Sequence, residues 1–292
     1  MKRDEMIQMA IFSKIRAVAD LLKIELPAAA GVCVVAGEVM ALGRLPATTT
    51  ALFGFLLGFF ISGAAMISND YFDLEVDRVN HPERPLPSGR ISVAELKALE
   101  TFFTLAGLLA AALLGPAVFL TGAALWSVGF LYNWRYKESG FIGNLFVSTS
   151  VASTFVVGGI ASAGLANGLA WTFGGLAFMF DLAEEIAGGA MDVSGDALRK
   201  VESLARIYGR SKALEISLLL YALVIAVTFL PVAEGWLGNV YLALAVIIDS
   251  LIAYLAVALY KSKTPEEGRS KIRDLYLTAL ALVVAFLLGR VL

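Results

Sequence analysis

Apolar runs and short polar breaks alternate along the whole chain, with apolar stretches at about 20–42, 48–69, 93–114, 116–134, 142–163, 168–191, 212–232, 236–260 and 273–291. Each is close to the roughly 20 residues that a helix needs to cross a bilayer. The pattern predicts an all-α membrane protein of nine transmembrane helices. Breaks alternate in character as well. Gly43 to Ala47, Gly115-Pro116, Gly164 to Gly168 and Pro231 to Trp236 are short and almost uncharged, whereas the loops between them are longer and polar. Chemistry is therefore expected on the side of the polar loops, with tight turns closing the other side. Residues 1–19 mix Lys2, Arg3, Lys14 and Arg16 with Met6, Ile7, Ile11 and Phe12, without the unbroken apolar core of a secretory signal, and are expected to form an interfacial amphipathic helix.

Composition sharpens this picture. At 59% hydrophobic and 16% charged residues the chain is too apolar for an ordinary soluble domain. Of the 23 Lys and Arg, all but Arg44 and Arg290 fall on the face of the polar loops, which predicts a cytoplasmic N-terminus and an outside C-terminus. With the positive charge explained by topology and a net charge of −2, nucleic acid is not an expected partner. The single cysteine, Cys33, lies inside an apolar stretch and forms no internal disulfide; the single histidine, His81, precedes Pro82 and excludes a multi-histidine zinc site.

Two acidic runs interrupt the apolar pattern. After the second stretch comes Asn69-Asp70-Tyr71-Phe72-Asp73-Leu74-Glu75-Val76-Asp77, followed by Arg78 and by Arg84-Pro85-Leu86-Pro87-Ser88-Gly89-Arg90. At about 100° per residue, Asp70, Asp73 and Asp77 fall within roughly 60° on a helix and face one place. In the sixth stretch Asp181, Glu185, Asp192 and Asp196 form a similar stripe on an unbroken helix, with Gly188 and Gly189 as the expected point of bending. Carboxylates at the edge of a membrane are costly and need a cation. An oxygen-only donor set without His or Cys selects a hard divalent ion, and Mg²⁺ typically bridges a few carboxylates to substrate phosphates. Two such patches facing each other would hold a diphosphate, with Arg78, Arg84, Arg90, Lys137, Arg199 and Lys200 available to its oxygens. If the attached group were allylic, the faces of Tyr71, Phe72, Tyr132, Trp134 or Phe155 would stabilise a developing carbocation.

These motifs resemble those of the UbiA superfamily of intramembrane prenyltransferases. Its first motif, Asn-Asp-x-x-Asp-x-x-x-Asp, reads here Asn69, Asp70, Asp73 and Asp77 with the Arg84-Pro85-Leu86-Pro87-Ser88-Gly89 tail, and its second, Asp-x-x-x-Asp, matches Asp192 and Asp196. The segment from Leu131 to Asn144 is similar to the family's Tyr-x-x-x-x-Lys-x-x-Gly-x-x-Gly-Asn stretch, placing Tyr132, Lys137 and Asn144. The resemblance implies a helical bundle around a central cavity under a cytoplasmic cap, a lateral opening to the bilayer, and Mg²⁺ bound by Asn69, Asp70, Asp73, Asp77, Asp192 and Asp196. Substrate would be held by Asn69, Arg78, Arg84, Lys137, Asn144, Glu185, Arg199 and Lys200, with Asp73, Asp77, Asp192, Asp196 and Tyr132 in the catalytic set. Residues 1–292 read as one such domain, its two four-helix halves related by the acidic pattern and followed by a ninth helix.

Lys137 through Gly159 looks most like the archaeal branch that makes digeranylgeranylglyceryl phosphate, although Gly188-Gly189 replaces that branch's usual Lys-Asp. The expected reaction is Mg²⁺-dependent transfer of a prenyl group, geranylgeranyl in that branch, from an isoprenyl diphosphate donor to the hydroxyl of a lipid glycerophosphate. An aromatic acceptor such as 4-hydroxybenzoate or a naphthoate is the alternative. A cation-coupled transporter is the more distant one.

Overall fold

The computed structural model describes residues 3–193, 196 and 201–291, and the regular elements among them are all helical. In chain order these are α1 (Arg3–Leu22), α2 (Glu25–Leu42), α3 (Thr48–Phe72), α4 (Leu74–Asn80), α5 (Val93–Leu114), α6 (Pro116–Leu131), a π-helical turn (Tyr132–Tyr136), α7 (Phe141–Ala163), α8 (Gly168–Met191), α9 (Leu204–Tyr208), α10 (Arg210–Thr228), α11 (Leu230–Ala233), α12 (Asn239–Tyr260) and α13 (Pro265–Val291). Seven helical runs among the described residues are long and apolar enough to span a membrane: α2, α3, α5, α6 with its π turn, α7, α10 with α11, and α12. At 24 residues α8 matches them in length, but it carries Asp181, Glu184 and Glu185 in its C-terminal half.

Local chemistry sets the helix ends. Ser92 and Glu95 form a reciprocal capping box that starts α5, Pro116 occupies the first turn of α6, and the Asn167 side chain accepts from the Ala170 N–H at 2.9 Å to start α8. Gly43 closes α2 in the left-handed region. The apolar run 20–42 is not one helix, since Lys23 and Ile24 separate α1 from α2. Accordingly the N-terminal helix extends past residue 19 to Leu22. Ala17, Leu21 and Leu22 are buried against Ile67 of α3, Leu86, Ile91, and Leu96 and Phe103 of α5. Two exposed ion pairs tie the same helix to the start of α5 and to the loop before it: Lys14–Glu95 at 2.7 Å and Asp20–Arg90 at 2.7 Å.

α2 is the hub, packed between α3 and α7. From α7 the packing passes to α8, then α10, α12 and α13, and α13 returns to touch α8 and α2. That circuit leaves a hollow, lined by α2, α3, α6, the π turn, α7, α8, α10 and α13. Asp249 lies buried within α12, where Thr228 Oγ1 donates to it at 2.6 Å, while Tyr241 donates to the Thr228 carbonyl at 2.6 Å. This hydrogen-bonded knot at the α10–α12 contact matches a packing role for Asp249.

Candidate active site

Asn69 and Asp70 sit in the last turn of α3, Asp73 at its junction with α4, and Asp77 within α4. The Asp73 N–H donates to the Asn69 carbonyl at 3.0 Å, and the Asp77 N–H donates to the Asp73 carbonyl at 2.8 Å, so the helical course continues through the junction. The helical register that the spacing assumes is thus kept from Asn69 to Asp77. Each of the three carboxylates meets a basic side chain. Asp70, 1% exposed, pairs with Lys23 at 3.4 Å; Asp73 pairs closely with Lys137; Asp77 receives Arg84 Nη1 on both oxygens at 2.8 and 2.6 Å. Partial burial alone would pull the Arg84 guanidinium down. The hydrogen bond and charge of Asp77, reinforced by Asp70 and Asp73, outweigh that and hold its pKa above the ordinary arginine value.

Asn69 bridges this group to the π turn. Oriented to suit its neighbours, its amide donates to Asp73 Oδ2 at 3.2 Å and accepts from Lys137 Nζ at 2.8 Å. Asn133, buried in the π turn, donates to the Ala65 carbonyl at 2.8 Å and so locks that turn onto α3. A π turn places its side chains about one residue out of step with an α-helix and is a recurring feature of functional sites. Tyr132 opens the turn, lines the hollow, and lies within electrostatic range of both Asp73 and Glu185. Asn144 stands in the first turn of α7, half-buried, its N–H donating to the Gly140 carbonyl at 3.1 Å.

The second acidic stripe differs from expectation. α8 runs unbroken through Gly188 and Gly189 and ends at Met191, with Asp192 (φ −125°, ψ 30°) outside helical geometry. The bend thus falls at Asp192, and Asp196 lies beyond the helix rather than on the same face of it. Ser203 and Asp196 pack over Gly189 at ordinary contact distance, a Cβ there standing 3.5 Å from the Ser203 side chain. Asp192 faces Arg269 of α13 at 4.0 Å. Asp196 is buried, its carbonyl accepting from the Val201 N–H at 2.9 Å and from Arg206 at 3.3 Å. Gly140, at φ +59°, lies against the Glu202 carbonyl, so the loop carrying Lys137 touches the segment that follows the second motif. Arg199 and Lys200 lie outside the described residues.

Other candidates separate into those at the hollow and those away from it. Arg78 turns to the exposed Glu75 at 2.7 Å, an (i, i+3) surface pair, and is not brought to the carboxylates. Arg90 pairs with Asp20, and His81 faces the exposed Glu83 at 3.6 Å. Of the aromatics, Tyr132 and Phe155 line the hollow, whereas Tyr71 lies under Lys97, Phe72 packs on Phe130, and Trp134 is exposed. Sequence reasoning passed over Glu184. It lines the hollow with Asp181, whose carboxylate accepts from Ser148 Oγ at 2.8 Å. Their (i, i+3) spacing was the available signal.

The hollow has a volume of about 580 Å³ and an almost wholly apolar wall, with Asn69, Tyr132, Asn133, Asp181 and Glu184 gathered at one end. Its lining includes the exposed side chains Leu26 of α2 and Tyr276 and Leu280 of α13, so it opens sideways between these two helices. Such a cavity suits a long apolar chain with a charged head. The donor set at its polar end, oxygens of Asp, Glu, Asn and Tyr without His or Cys, fits a hard cation. Among the described residues no three acidic, His or Cys side chains stand close enough to hold a metal by themselves. Magnesium does not require that, since it usually takes one or two carboxylates and completes its shell with water and phosphate.

Comparison with known proteins agrees with this arrangement. The chain is 32% identical over 260 residues to the digeranylgeranylglyceryl phosphate synthase of Thermococcus kodakarensis, a match spanning 89% of this chain and 92% of that protein. The enzyme of the same name from Archaeoglobus fulgidus is 33% identical over 280 residues, 94% of this chain and 95% of the other. A solved structure of a digeranylgeranylglyceryl phosphate synthase superposes with a TM-score of 0.86 at 26% identity, covering 95% of this chain and 99% of that one. A UbiA homologue from Archaeoglobus fulgidus bound to GPP and Mg²⁺ shares the fold, with a TM-score of 0.66 at 19% identity over 94% and 99% of the two chains. The sequence profile of the UbiA prenyltransferase family matches residues 30–288, and the chain, a multi-pass membrane protein, belongs to that family.

Proposed function

We propose that this protein transfers a geranylgeranyl group from its diphosphate to the free hydroxyl of a glycerophosphate lipid, forming an ether. The observation that carries the reading is the apolar, side-opening hollow headed by Asn69, Tyr132, Asn133, Asp181 and Glu184, with Asp73 and its Lys137 partner directly behind. Relatives more than 30% identical over nearly their full length carry the name of the enzyme for that reaction. A hollow of this size falls in the usual range for small-molecule sites, roughly 300–1,000 Å³. Asn69, Asp70, Asp73 and Asp77 on one side and Asp192 and Asp196 on the other are the residues that would hold magnesium and, through it, the diphosphate. Bound Mg²⁺ would neutralise the diphosphate and make it a better leaving group.

The remaining steps belong to side chains. Arg84, Lys137 and, on the second side, Arg199 and Lys200 supply positive charge to phosphate oxygens, and Asn69 orients Lys137. Tyr132 and Phe155, which line the hollow, are the aromatic side chains available to stabilise the allylic cation as the C–O bond to diphosphate breaks. Apolar walls exclude water, so the acceptor hydroxyl is the nucleophile that reaches C1, its oxygen forming the ether bond and its proton passing to the departing diphosphate. The glycerophosphate head stays among the basic loops while its chain lies in the lateral opening.

The same reading assigns nine membrane helices in one domain, α8 and α13 joining the seven apolar runs, with the polar loops forming a cap on the cytoplasmic side and the two four-helix halves related by their acidic motifs. A reporter fused after residue 292 is expected outside the cytoplasm; a cytoplasmic signal would reverse the topology. Acceptor choice is tested by supplying radiolabelled geranylgeranyl diphosphate and Mg²⁺ with either geranylgeranylglyceryl phosphate or 4-hydroxybenzoate. Product is expected with the first. Product from the aromatic acid alone would move the protein to the quinone-forming part of the family.

A further inference from the structure

Lys23 is the only non-glycine residue with positive φ among the described residues, at +47°. It forms the elbow between α1 and α2. Glycine makes such an elbow without steric cost, and a strained conformation in another residue persists only where its surroundings impose it. Here both sides of the elbow are fixed. Ala17, Leu21 and Leu22 anchor α1 on α3 and α5, and the Lys14–Glu95 and Asp20–Arg90 pairs hold it from the polar side. The side chain that this position carries ends on Asp70, whose own side chain is 2% exposed.

The pairing belongs to a pattern. Asp73 is held by Lys137, Asp77 by Arg84, and Asp192 faces Arg269, each cation coming from a different part of the chain. Within the first motif the Lys23–Asp70 contact, at 3.4 Å, is longer than the 2.6 Å pair at Asp77 and longer than charge-assisted hydrogen bonds usually are. Of the three pairs in this motif it is the most loosely held. Lys23 is also a third exposed, which leaves the ammonium room to swing away from the carboxylate.

We propose that Lys23 is a placeholder cation, neutralising Asp70 before metal binds and moving to the diphosphate oxygens once the divalent ion takes the carboxylate. This rests on the metal-dependent reading above and adds to it a residue that the sequence motifs do not contain. Because the elbow is docked on α3, the exchange also makes α1 part of the donor site rather than a surface anchor alone. Lys23 acts with opposite sign on the two ligands: it competes with the metal and assists the phosphate.

The test uses whole protein in detergent. Mn²⁺, a hard ion visible by electron paramagnetic resonance, is titrated without substrate, and inorganic pyrophosphate is then titrated by calorimetry in saturating Mg²⁺. Lys23→Asn removes the charge while tolerating the left-handed backbone. It is expected to bind Mn²⁺ about tenfold more tightly and pyrophosphate about tenfold more weakly than the parent, with Lys23→Arg close to the parent in both. Lys23→Gly, which relieves the elbow entirely, serves if the Asn variant does not fold and carries the same expectation. Weakening of both ligands would assign Lys23 a structural role and overturn the exchange, as would parent-like values for both. If the parent itself bound neither Mn²⁺ nor pyrophosphate, the exchange and the metal-dependent reading would fall together.

Discussion

Asp73→Ala is expected to lower donor-dependent prenyl transfer by roughly 10²–10³-fold while leaving a folded, membrane-inserted protein, because it removes a group that acts on developing charge. The fold should survive for a specific reason. Asp73 closes α3 and opens α4 through its backbone, with no side-chain cap to lose. Its carboxylate is partly accessible, meeting Lys137 and Asn69 rather than the apolar core. Removal leaves Lys137 to Asn69 and solvent, a modest structural cost. Asp192→Ala should behave alike, since its side chain lies at the end of α8 facing Arg269. Product formation from geranylgeranyl diphosphate is measured beside helicity by circular dichroism and elution on size exclusion. Either variant retaining activity within tenfold of the parent would remove its carboxylate from the reaction.

Much of the site was legible because its chemistry is contiguous. Asn69 to Asp77 span little more than two helical turns, the register is kept through Asp73, and Asp70, Asp73 and Asp77 all act on Arg84. Helix limits were equally legible where caps stand at both ends: 93–114 and 168–191 match α5 and α8 to the residue, flanked by Ser92, Gly115 and Asn167. Long-range pairing was not legible. Lys23 meets Asp70 across 47 positions, and nothing local marks it. Arg78 illustrates the converse, adjoining the motif in sequence yet turning to Glu75. The expected bend at Gly188-Gly189 failed because tertiary contact overrides glycine's weak preference. Ala187 and Ala190 are buried on either side of the pair, and Ser203 covers Gly189. Glu38 shows the same limit. It is buried inside α2, neither of its carboxyl oxygens having a hydrogen-bond partner among the described residues, and it is fitted against Gly54, where any Cβ would strike Oε1.

Gly158→Ala is expected to destabilise the protein by about 1–3 kcal/mol, and Gly158→Val by more, because the α2–α7 crossing is made backbone to backbone. Helices in a bilayer associate through close packing and hydrogen bonding, so small residues that let backbones approach have few substitutes. A Cβ on Gly158 would run into the Val34 carbonyl oxygen, and one on Gly37 into the Phe155 carbonyl. The α2–α3 contact is built the same way: a Cβ on Gly58 would stand 2.7 Å from the Ala30 carbonyl oxygen. Carbonyls cannot rotate aside as a flexible side chain can, so the helices must separate. Val34 and Val157, at this crossing, also line the hollow, and separation would widen its apolar end and weaken donor binding. Gly175→Ala in α8, where a Cβ meets nothing within 4 Å, is the contrasting substitution and should be neutral or add about 0.5–1 kcal/mol. Thermal unfolding in detergent, followed by loss of the monodisperse size-exclusion peak, separates the two. Equal midpoints for Gly158→Ala and Gly175→Ala would show that the crossing tolerates a methyl group and that α2 is not held by backbone contact.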